Sequence, residues 1–319
     1  MGLVVEQRRL FLGDQSQIDN NQNLRAAADL IGADIQQAGE RIELGATLPI
    51  VQVRAGSSST DPDTLVLQRK LISDELSLCD NVTATDKQLK VADSATGCHF
   101  SDGNTDKLTD SLGQFKAYRC SLDSGKTSCN RGQDDATSAE ILIESSCDNE
   151  CVFGYIHNPD TKEGEFFLYT DEVYQESSGT QNYLKVIPLG PGNQWQRSYP
   201  LSANPQIYIL EEQQYSLCNG VLEKTSNRQP ENSFNCSYSS SGSQPARLVN
   251  NLKNLQFRVQ TTSGWQSSFN ENLTTLTDFT TIKSIEVSLE TQPSDRINTA
   301  SKTLLLSTEF FPRNAQSEF

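Results

Sequence analysis

From Leu24 to Ile42 the apolar residues recur at intervals of three and four: Leu24, Ala28, Ile31, Ile35, Ala38 and Ile42. That spacing puts them on one face of an α-helix. Leu30 and Ala33 read as widening the stripe, while Arg25, Asp29, Asp34, Gln36 and Gln37 fall on other faces. Upstream, GDQSQIDNNQN from Gly13 is polar all round except for Ile18, so this part of the helix has no apolar face to dock and is expected to fray. Gly39 or Gly45 is the expected stop, since either can take the left-handed conformation that closes a helix. Residues 1–45 are therefore predicted as one long amphipathic helix.

After Pro49 the pattern changes to period two and to short runs of β-branched and aromatic residues. Strands are predicted at 49–54, 63–71, 114–120 (QFKAYRC), 139–145, 151–157, 164–170, 183–189, 206–210, 255–260, 282–290 and 303–311. Segments such as GSSSTDPD, NPDTKEG, GPGNQ and SSSGSQP supply turns between them. No repeat of solenoid period is evident. The predicted fold class is α+β, with one helix packed on an antiparallel β head over 46–319 and a β-rich lobe inserted at about 79–200.

A chain of 319 residues with 35% hydrophobic content can bury a sizeable core. Its net charge of −15 opposes phosphate backbones and anionic membrane surfaces, so direct nucleic-acid binding is not expected. Charged residues are only 21% of the chain, and Ser, Thr, Asn and Gln fill its surface segments, which reads as an extracellular protein.

The eight cysteines, Cys79, Cys98, Cys120, Cys129, Cys147, Cys151, Cys218 and Cys236, lack the paired CxxC spacing of a structural zinc site. They read instead as a disulfide framework. Joining neighbours (79–98, 120–129, 147–151, 218–236) is one connectivity of many, chosen because adjacent strands of a meander meet most readily. Each such loop would stabilise the fold by roughly 2–3 kcal/mol.

Neither a signal peptide nor an apolar run long enough to cross a membrane is evident in the sequence. For an extracellular chain this predicts truncation, with the missing part before Leu3 and with Met1-Gly2 and Glu318-Phe319 as additions.

The order of these parts resembles a known family. NNQNLRAAADLIGADIQQAGERI, a polar stretch followed by an Arg, small and apolar residues and an Ala-Gly pair (Ala38, Gly39), is similar to the helix of type IV minor pilins of the PilW type. DPDTLVLQR from Asp61 resembles the first strand of that family. QIYILEEQQYSL, ARLVNNLKNLQFRVQT and IKSIEVSLETQ, followed by TLLLSTEFFPRN with its Arg313-Asn314, resemble the later ones. The likeness covers the two ends of the chain. It implies a pilin-like fold and a structural subunit that initiates or caps a type IV pilus, with other minor pilins and the major pilin as partners. It also implies a membrane-anchored state before assembly. Type II secretion pseudopilins share the layout, so pilus and pseudopilus both remain open, as does a surface adhesin whose head binds a ligand.

No catalytic residue, cofactor or metal site is assigned. His99 and His157 are the available imidazoles, and neither lies in a nucleophile-elbow or metalloprotease pattern. SDGNTDKLTD (101–110) has the alternating acids of a calcium loop, but Lys107 replaces the required Gly and Gly113 the bidentate Glu. The sequons at Asn81, Asn235 and Asn272 are what an Asn- and Ser-rich chain produces by chance. Trp195 and Trp265 read as core or sheet-face residues.

Overall fold

Thirty-six residues, Gly2–Gln37, form helix α1. Gly39 follows its last turn with φ 74°, in the left-handed conformation expected of a helix stop. The Gly39 N–H donates to the Gln68 carbonyl at 2.9 Å. The computed structural model describes residues 2–42, 48–58, 60–92, 111–122, 152–173, 182–226, 245–270, 279–291 and 303–313. Gly45, the 139–145 run, the calcium-like loop, Asn235, Asn272, His99 and five of the cysteines lie outside them.

The chain forms two compact units. The first comprises Met1–Arg69, Glu212–Arg228 and Asn232–Phe319; the second comprises Lys70–Glu211 with Gln229–Glu231. In the first unit, β1 (Val51–Arg54) pairs antiparallel with β2 (Thr64–Lys70), and the end of β8 (Gln206–Cys218) pairs with β9 (Val221–Ser226), which carries β10 (Ala246–Val249). A separate four-stranded sheet has the order β12 (Gly264–Gln266), β11 (Leu252–Thr261), β13 (Ile282–Thr291), β14 (Leu305–Phe310). Asp63 ties the first unit together. Its carboxylate accepts from the Phe257 and Gly56 amides at 2.9 Å, and burial raises its pKa against the pull of those two bonds.

In the second unit β3 (Leu76–Ser77) and β5 (Val152–Asn158) pair with the start of β8. β6 (Glu163–Val173), β7 (Asn182–Pro188) and β4 (Gln88–Val91) continue outward from β5. Helix α2 (Ser111–Leu122) places Leu112 and Phe115 in the same core as Phe167, Tyr169, Trp195 and Tyr199.

Two expectations are corrected here. The architecture is not the pilin-like α+β arrangement of one helix on one antiparallel head. Strands dominate, with fourteen described against two helices, and they make two antiparallel sheets. The physical reason is that period-two runs supply nearly every described segment after Pro49, and the central segments build a core of their own. The second correction concerns QFKAYRC, which belongs to α2. Phe115 is buried but Ala117 is exposed, so its apparent alternation is not that of a strand.

Candidate functional site

Among the described side chains of α1, Asn20, Leu24, Ala27, Ala28, Ile31, Gly32 and Ile35 are buried, and Ala38 just after its last turn continues them, in steps of one, three and four that trace a single stripe. Ile42 lies after the helix and is half-buried. Leu30, 45% exposed, and Ala33, also exposed, do not widen the stripe. Leu30 lies about 100° around the helix from Ile31, which turns it away from the sheet.

Small residues let the helix sit close. A β-carbon at Gly32 would collide with the Phe310 ring of β14, and one at Gly39 would fall 2.6 Å from Phe279 Cζ. Polar contacts then fix the rotation of the helix. Asp34 accepts from the Tyr215 hydroxyl and from Lys224 Nζ, each at 2.6 Å, and the Asn251 amide donates to Asn20 Oδ1 at 2.8 Å. Arg69 and Arg313 donate to Gln37 and Gln36 respectively. The anchors Tyr215 and Lys224 do not stand out in sequence. Their signal is Asp34 itself, an acid at the border of an apolar stripe, which calls for donors from the sheet it meets.

The other side of α1 is bare. Among the described side chains before Asn20, namely Gln7, Phe11, Gln15, Gln17, Ile18 and Asp19, none is buried. Phe11 is 67% and Ile18 57% exposed, and being seven residues apart they share a face. The stretch 13–23, polar except for Ile18, has no apolar stripe of its own and is marginal in water as an isolated helix. Two exposed large apolar side chains on this part of α1 mark a surface suited to a partner. Among the described residues, no helix is long and apolar enough to cross a membrane.

The polar clusters of the second unit are internally occupied. Glu165 is buried and accepts from the Gln196 and Arg197 amides at 3.0 and 3.1 Å and from the Tyr199 hydroxyl at 3.0 Å. Burial, with the charge of Glu165, pushes the Tyr199 phenol well above its ordinary pKa, so it remains the proton donor in that bond. Glu172 receives both arms of the Arg119 guanidinium, at 3.0 and 2.9 Å, and the Tyr169 hydroxyl. These groups hold structure, and no nucleophile with an adjacent base is among them. No group of three His, Cys, Asp or Glu side chains among the described residues is arranged to hold a metal ion.

His157 is buried against Tyr155, ring centroids 6.4 Å apart. Burial lowers its pKa from 6.5 to about 4, although a hydrogen bond to the Glu163 backbone works the other way. Between those values the unfolded chain binds a proton that the folded chain does not, so stability falls as pH falls through the window. A shift of this size removes about 3 kcal/mol between pH 7 and pH 4. Urea unfolding of the wild type and of His157→Gln across that range should show this slope in the wild type and its loss in the variant. Equal slopes would mean that His157 is protonated in the fold.

Trp195 is in the core and donates to the Asp86 carbonyl at 2.8 Å. Trp265 is 39% exposed on the sheet face, with the Arg258 guanidinium 5.1 Å from its ring centre. Cys79, Cys120 and Cys218 are disulfide-bonded, and the pairing of neighbours falls on residues outside those described.

Compared with protein-family models and with curated proteins, the chain matches none.

Proposed function

We propose that the chain is a non-catalytic structural subunit of an extracellular filament, of the type IV pilus or type II secretion kind, and that it joins neighbouring subunits through α1. One observation carries this reading: the helix is two-sided. Its inward stripe is committed to its own strands and pinned by Asp34, while its opposite side carries Phe11 and Ile18 in water. Both are large, lie seven residues apart on one face and suit a second contact beyond the core that the inward stripe completes. The filament setting comes from the sequence resemblance of the helix and the closing strands, and not from an overall pilin architecture.

The test is genetic and microscopic. In the organism that encodes it, deletion of the gene should remove or sharply reduce surface filaments in electron micrographs. The wild-type gene should restore them, and a gene carrying Phe11→Asp with Ile18→Asp should not, although its product reaches the same level. Unchanged filaments in the deletion strain would defeat the proposal.

A further inference from the structure

The outward side of α1 has a pattern of its own. With about 100° of rotation per residue, Phe11, Gln15, Ile18, Gln22, Ala26, Asp29 and Ala33 fall within about 80° of one another. All seven are exposed. The bulky residues lie in the first half, Phe11 and Ile18, and the small ones in the second, Ala26 and Ala33. Each pair has the same spacing of seven residues.

We propose that this face binds a second copy of the chain, helix against helix and antiparallel, about a two-fold axis that passes beside Gln22. The proposal rests on the reading of α1 as an assembly element and names a partner for it. In that arrangement every residue lies opposite the one equally far beyond Gln22. Phe11 then meets Ala33 of the other copy and Ile18 meets Ala26, so a large side chain faces a small one at each level, and the helices approach evenly along about 33 Å. Gln15 meets Asp29, an amide donor facing a carboxylate.

The alternative of two parallel helices in register fails on charge and on shape. It sets Asp29 against Asp29 within the contact, and two facing carboxylates repel. It also stacks Phe11 on Phe11 while leaving a gap at Ala26 and Ala33. A two-fold contact of the antiparallel kind is self-complementary and closes at two copies. It covers the two most exposed apolar side chains of the described helix, Phe11 and Ile18.

Sedimentation of the full chain, combined with single-cysteine crosslinking, tests this. The wild type should sediment as a dimer at micromolar concentration, and Phe11→Ser with Ile18→Ser should sediment as a monomer. Because Gln22 faces itself across the axis, Gln22→Cys should crosslink to a dimer with about tenfold greater yield than Asp29→Cys, whose opposite number is Gln15. All these positions are exposed, so the variants leave the core intact. A wild type that stays monomeric overturns the dimer and leaves assembly with other subunits standing. Equal crosslinking at positions 22 and 29 overturns the antiparallel order. An open series of growing species overturns the closed pair and leaves the assembly role of α1 standing.

Discussion

Glu172→Ala is expected to cost about 3–5 kcal/mol, the range for removing one member of a buried ion pair. The Glu172 side chain is 1% exposed and that of Arg119 12%, so solvent does little to screen the pair. The carboxylate serves Arg119 through two hydrogen bonds, Lys116 at 3.6 Å and the Tyr169 hydroxyl. Burial opposes the Arg119 charge, but the hydrogen bond and charge of Glu172 outweigh it and hold the guanidinium firmly protonated. Removing the carboxylate therefore leaves the Arg119 cation with only the half-exposed Asp171, 3.6 Å away, to compensate it. The effect should be concentrated in α2, which carries Arg119 and Lys116 and whose Phe115 packs edge-on to Tyr169 at 6.3 Å. Glu172→Gln keeps the shape and one acceptor, so its cost should fall between those of wild type and alanine. Chemical denaturation gives the totals, and hydrogen exchange of the α2 amides locates the loss. A cost below about 1 kcal/mol would place the pair among ordinary surface ion pairs.

Much of the fold is legible in the sequence because its strands obey period two. β1, β2, β5, β6, β7, β11, β13 and β14 each fall on a predicted run, with ends displaced by a few residues. The failures have physical causes. β8 was expected to stop at Leu210, since EEQQ is polar, yet it runs to Cys218. Two of the polar side chains there are buried with partners: Glu212 accepts from the Gln68 amide at 2.9 Å, and Gln213 accepts from the Ser226 hydroxyl at 2.8 Å. Composition carries no trace of a partner 144 residues away. Short pieces such as β4 and β10, four residues each, show little periodicity, and β1, equally short, registers only because Pro49 and Ile50 extend its run. α2 misled because Phe115 and Ala117 alternate on paper with Gln114 and Lys116, whereas burial follows Leu112 and Phe115, three apart. As for the candidate site, the inward face of α1 is readable from spacing alone. Its outward face is only partly so: the Leu10-Phe11-Leu12 run offers itself to neighbouring subunits, but Ile18 looks like an interruption of a polar segment until the buried side is known.

Ile31→Ala is the sharpest test of that division. Ile31 has no exposed surface, and its neighbour Leu30 is 45% exposed. Truncating a fully buried isoleucine removes its transfer energy and leaves a cavity, which together cost about 2–5 kcal/mol. Truncating Leu30 removes side chain that already meets water, and alanine favours the helix at least as well, so Leu30→Ala should stay within about 0.5 kcal/mol of wild type. Thus two adjacent residues of similar size are expected to differ by several-fold in cost, decided only by the side of the helix they occupy. The upper part of the range applies if the neighbours of Ile31 do not relax. Gly32, pressed on the Phe310 ring, and Asp34, held by Tyr215 and Lys224, keep the helix from settling into the gap. Because the chain has two units, the loss should appear in the transition that melts α1, followed by hydrogen exchange along the helix, and not in a global midpoint alone. Equal costs at the two positions would mean that α1 is rotated from the orientation described, and the bare face built from Phe11 to Ala33 would lose its basis with it.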